Sequence, residues 1–67
     1  MIEMTTDDVK RIIIKWRQSR HSWPTRRELE TALHAEGFTV DSAELEELLD
    51  MLRTANALQV VGGKFVI

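Results

Sequence analysis

The chain has 67 residues, 30% charged and 43% hydrophobic, with a formal net charge of −2 and no cysteine. That allows one small domain with one core, and it excludes a disulfide framework, a cysteine-ligated zinc site and the composition of a disordered chain. Apolar runs such as Ile12–Ile14 and Phe65–Ile67 fall far short of the ~20 residues that span a bilayer, and Met1-Ile2-Glu3-Met4 lacks the basic and apolar segments of a secretory leader, so a soluble, cytoplasmic or nucleoid-associated protein is expected.

A first helix is expected from Asp7 to Ser19, with Thr5 or Thr6 as N-cap and Asp7 and Asp8 near its positive end. Val9, Ile12, Ile13 and Trp16 recur at helical spacing and form one apolar stripe. Ile14 falls on the opposite side, among Lys10, Arg11 and Gln18. Pro24 pushes Trp23 toward extended geometry, which breaks the helix and leaves room for a short strand near Trp23.

Thr25-Arg26-Arg27-Glu28 matches the S/T-x-x-E capping box. A second helix is expected from Thr25 to Glu36, buried through Leu29, Ala32 and Leu33. Gly37 then suits the left-handed C′ position, with Phe38 at C″ against Leu33. Asp41-Ser42-Ala43-Glu44 reads as another capping box, with Val40 stapled onto Leu45. The third helix is expected from Ser42 to Thr54, buried through Leu45, Leu48, Leu49 and Leu52, and Asn56 can take the left-handed exit.

Leu58–Val61, Gly62-Gly63 and Lys64–Ile67 read as a hairpin with a two-residue primed turn. Pairing Val61 with Lys64 sets Val60 opposite Phe65 and Leu58 opposite Ile67, four side chains expected to be buried together on one face. Residues 1–67 thus predict a single domain, mostly α with small β: a winged helix-turn-helix of three helices and a C-terminal hairpin.

No catalytic residue, metal site or cofactor is expected. His21 and His34 lie in a loop and on a helix without HExxH spacing, and Gly62-Gly63 joins two strands rather than opening a helix around a phosphate. The informative feature is charge segregation. Lys10 to Arg27 holds seven Lys/Arg and no acid; Glu28 to Asp50 holds eight Asp/Glu and no Lys or Arg.

Lys10, Arg11, Lys15, Arg17, Arg20, Arg26 and Arg27 are candidates to face a polyanion, because phosphate neutralisation supplies most nonspecific affinity. Arg26 and Arg27 open the second helix beside Thr25, where a helix N-terminus and two guanidinium groups can hold a phosphate. Lys64, next to the Gly-Gly tip, can touch the flanking backbone. The plainer alternative is a set of solvating surface charges. Glu44, Glu46, Glu47 and Asp50 mark the third helix as acidic; such residues repel phosphates at close range, although glutamate can accept from cytosine N4. This face is either an ordinary solvated one or a dock for a basic protein patch. Trp16 and Trp23 are expected in the core. Ile14, Met51, Val61 and Val66 are expected to be exposed and together could form a partner or dimer patch.

The run Pro24-Thr25-Arg26-Arg27-Glu28-Leu29, then Gly37-Phe38, then Glu46-Glu47 in a Leu-rich helix leading to a hairpin, resembles the DNA-binding domain of LexA-type repressors over nearly the whole chain. The resemblance implies a winged helix whose third helix reads operator bases. In that family this helix opens with Ser-Pro-Asn-Ala-Ala-Glu-Glu and uses its Ser, Asn and Glu side chains. Here Asp41 stands for the Ser, Ala43 for the Asn and Glu44 for an Ala, while Glu46 and Glu47 match the paired Glu. A weaker resemblance is to winged-helix modules of larger replication and transcription proteins, such as archaeal replicative helicases.

The expected function is that of a DNA-binding winged-helix module of a transcriptional or replication protein. Its backbone contacts would come from Lys10, Arg11, Lys15, Thr25, Arg26, Arg27 and Lys64, with limited base contacts from Thr39, Ser42, Glu46 and Glu47. The partner is then double-stranded DNA, bound weakly or nonspecifically, by a monomer or weak homodimer. The alternative is a protein-interaction winged helix in a larger assembly, docking through Glu44, Glu47, Asp50 and Ile14.

Overall fold

The computed structural model describes residues 4–67, so the reading of the first three residues as no secretory leader lies outside the described part. Helix α1 runs Thr6–Arg20, α2 Arg26–Ala35 and α3 Ser42–Thr54; the strands are β1 Gln59–Val61 and β2 Lys64–Val66. Three helices followed by an antiparallel hairpin make a winged-helix-like layout. Among the described residues no helix is long and apolar enough to cross a membrane.

Local chemistry sets most of the boundaries. Thr5 caps α1: its hydroxyl accepts the Asp8 N–H at 3.3 Å, and the Asp8 carboxylate accepts the Thr5 N–H at 3.1 Å. Thr25 and Glu28 repeat this reciprocal pair at the start of α2. Gly37, at φ +91°, ends α2. The Phe38 N–H then reaches the Leu33 carbonyl at 3.1 Å and the Gly37 N–H the His34 carbonyl at 3.0 Å, which is the Schellman pattern. Asn56 ends α3 in the same way at φ +58°, with the Ala57 N–H on the Leu52 carbonyl at 2.8 Å.

The expected second box at α3 is corrected. Asp41 does cap the helix, but its carboxylate takes the Ala43 N–H at 2.9 Å and no reciprocal bond from Glu44 forms. A Thr cap is neutral, so a glutamate can fold back onto it. At Asp41 the same motion would bring two carboxylates together.

Helix α1 packs on both α2 and α3. Val9, Ile12, Ile13, Leu29, Leu33, Phe38, Leu45, Leu49 and Leu52 are buried between them, joined by Met4 ahead of the first cap and by Leu58 and Phe65 of the hairpin region. Val40, Leu48 and Trp23 are partly buried against this core.

The hairpin adopts the expected register, Val61 with Lys64 and Val60 with Phe65, around Gly62 and Gly63 at φ +58° and +78°. Its burial differs from expectation. Leu58 and Phe65 are buried, but Val60 is 47% exposed and Ile67 39%. The reason lies in which strand faces the body. The Phe65 N–H donates to the Pro24 carbonyl at 2.8 Å, and Thr25 forms a bridge with Lys64. The extended residues near Trp23 therefore lie along the outer edge of β2, as a bridge rather than a full strand. Strand β2 is held against the helices, and β1 becomes the free edge.

Trp16 also departs from expectation. It is half-buried and stands outside the core, in a groove between α1 and α2 floored by Ala32 and Ala35. Those small side chains leave the ring nothing to interlock with.

Candidate nucleic-acid interface

The cations of α1, α2 and β2 separate into two groups by partner. In the first group, each is engaged within the chain. Arg11 pairs with Asp8 at 3.0 Å, and Lys15 pairs with Glu36 across the α1–α2 groove. Arg26 is the most committed: it pairs with Glu46, donates to the Ser42 hydroxyl at 3.0 Å and the Ser42 carbonyl at 3.3 Å, and lies 3.8 Å from Glu30. Three residues expected to face DNA, Arg26, Ser42 and Glu46, thus form one intramolecular cluster that ties the start of α2 to the first turns of α3.

In the second group, Lys10, Arg17, Arg20, Arg27 and Lys64 have no carboxylate within ion-pair distance among the described residues. Arg17 lies over the Trp23 ring at 5.6 Å and Arg20 over the Trp16 ring at 4.1 Å. Arg27 is exposed in the first turn of α2, and Lys64 is exposed where β2 bridges to Thr25. Arg20, Arg27 and Lys64 thus come from three elements that meet at the start of α2.

Glu28 sits at that junction. Its carboxyl is held below the usual range, first by the Thr25 N–H, then by the Thr25 hydroxyl, with Lys64 and Arg20 adding positive potential. Thr25 is consumed by the same box, its hydroxyl and N–H both directed to Glu28. Glu36 and Asp8 are likewise lowered, Glu36 by the Lys15 hydrogen bond and charge, Asp8 by the Thr5 N–H and hydroxyl before Arg11.

Helix α3 presents acid. Glu46, Glu47 and Asp50 are exposed and Glu44 is half-buried; beside Asp50 stands Arg53 of the same helix, 3.8 Å away. Thr39 is exposed in the turn between α2 and α3. Ile14, 40% exposed, lies on the outer face of α1 next to Lys10, Arg11 and Gln18, apart from the α3 acids. Among the described residues no three His, Asp or Glu side chains gather as metal ligands would.

From the sequence, Lys10, Arg11 and Lys15 are the α1 residues expected on the backbone, and Arg17 and Arg20 are left out of that set. In the structure Arg11 and Lys15 have acids within reach, whereas Arg17 and Arg20 meet tryptophans instead. One clue was available: Arg20 follows Trp16 by four residues, on the same side of the helix. Comparison of the chain with protein-family models, with curated proteins and with solved structures finds no match.

Proposed function

We propose that this chain is a DNA-binding winged-helix module of a transcriptional or replication protein, working in the cytoplasm or on the nucleoid as a monomer or weak homodimer. It meets the phosphate backbone of the duplex with the junction where α1 ends, α2 begins and β2 bridges to Thr25. The observation that carries this reading is the convergence of Arg20, Arg27 and Lys64, none in an ion pair among the described residues, on that junction. Each can take a phosphate without first giving up a carboxylate.

Helix α3 is a poor base reader here, since its exposed acids oppose close approach to phosphates. Binding is therefore backbone-directed and weakly sequence-dependent. A titration of mixed-sequence duplex at several salt concentrations tests this. With about three phosphates neutralised, the logarithm of the association constant should fall with that of salt at a slope of about −3. Absence of binding at low salt would remove the reading.

A second reading is favoured by one feature. Glu47, Asp50 and Met51 are all exposed and share one face of α3, the composition expected of a dock for a protein with a basic patch. Under it, replacing Glu47 and Asp50 by lysine abolishes partner capture and leaves DNA affinity unchanged or higher.

A further inference from the structure

The groove between α1 and α2 encloses about 180 Å³, more than the ~150 Å³ that admits a benzene ring in a protein interior. One wall is the Trp16 ring and the floor is Ala32 and Ala35. Arg20 lies 4.1 Å over the ring, and the Lys15–Glu36 ion pair joins the two helices at the rim. The Trp16 indole N–H is buried with no acceptor among the described residues. A planar aromatic wall, a cation stacked on it that has no carboxylate within ion-pair distance among the described residues, and hydrogen-bonding groups of both kinds at the rim occur together in one ring-sized space.

We propose that this groove is a pocket for one unpaired nucleobase of a nucleic acid strand. The base takes the place of the Arg20 guanidinium on the Trp16 ring, the displaced Arg20 pairs with the adjoining phosphate, and the Lys15 ammonium and Glu36 carboxylate meet polar atoms on the base edge. Base–aromatic stacking tolerates any sequence, because every base has a π-face. The proposal rests on the backbone-binding reading above and extends it, since Arg20 belongs both to this groove and to the cationic junction. The module then holds a strand where a base is unpaired, at a fork, an overhang or a single-stranded stretch.

The test is tryptophan fluorescence with Trp23→Phe protein, which leaves Trp16 as the sole indole. Four probes are titrated at low salt: oligodeoxyuridylate, oligouridylate, an abasic deoxyribose-phosphate oligomer of equal length, and a blunt duplex. Deoxyuridylate or uridylate should quench Trp16 and bind more tightly than the abasic oligomer; which of the two binds better identifies the sugar preferred. Trp16→Ala should lower affinity for the base-bearing strand about five- to hundredfold and change duplex affinity far less. Ala35→Leu, at an exposed position that fills the groove, should have the same selective effect if the alanine variant is poorly folded. Equal affinity for abasic and base-bearing strands, or binding without quenching, overturns the pocket. If duplex and abasic strand still bind with salt dependence, the backbone reading survives that failure; if no polyanion binds, both fall.

Discussion

Arg26, in the first turn of α2, is ion-paired to Glu46, one turn into α3, and donates to the hydroxyl of Ser42 at the start of that helix. The pair neutralises one of the two cations that open α2 and one of the acids on α3. It also fixes how the two helices approach at the turn.

Replacing Glu46 with glutamine should therefore raise duplex affinity severalfold, by releasing Arg26 toward phosphate and removing one negative charge. Glu46 is exposed and Arg26 half-buried, so thermal stability should change by only about 0–1 kcal/mol. Fluorescence anisotropy and a thermal melt measure the two effects separately. A fall in affinity with unchanged stability would mean that Glu46 itself contacts DNA.

Lys64 tests the wing. Lys64→Glu should weaken duplex binding across all sequences and make the salt slope shallower by about one unit. Its side chain is exposed, so the melting temperature should hold.

The hairpin's two strands should respond unequally. Phe65 is buried and its backbone is tied to Pro24, so Phe65→Ala should cost about 3–5 kcal/mol. Val60, directly opposite, is largely exposed; Val60→Thr should cost about 0.5 kcal/mol or less. Urea denaturation of both variants reads the contrast, and equal losses would mean that β1 packs inward.

Acid should unfold the protein partly through its caps. Glu28, Asp8 and Glu36 all have lowered carboxyl pKa values. Their stabilisation is complete above the usual carboxylate range and is lost as pH falls through the lowered, folded-state values. For Glu28→Gln, the urea midpoint should lie below that of the parent at neutral pH, and the gap should close as the solution is acidified. A gap that stays constant with pH would assign the effect to shape rather than charge.

Gly37 should tolerate little. Its φ of +91° is uncomfortable for a residue with a side chain, although nothing lies within 4 Å of an added Cβ. Gly37→Ala should cost about 1 kcal/mol or more from backbone strain alone, measurable as a lowered melting temperature.

By itself the sequence determined the elements and their ends. Thr5, Thr25, Gly37 and Asn56 act on backbone groups within a few residues of themselves, so their effects need no knowledge of the rest of the fold. The Gly62-Gly63 turn fixed the strand register for the same reason. What only the tertiary structure decided was pairing between elements. The sequence places Arg26 and Glu46 twenty positions apart with no sign that they meet, and it puts Val60 and Phe65 on one face without saying that β1 stays outside. It gives Trp16 a core-like spacing, yet the small alanines opposite leave it in a groove. Local hydrogen bonds follow from adjacent residues, whereas ion pairs and burial depend on how helices cross, and that angle is set by the whole core at once.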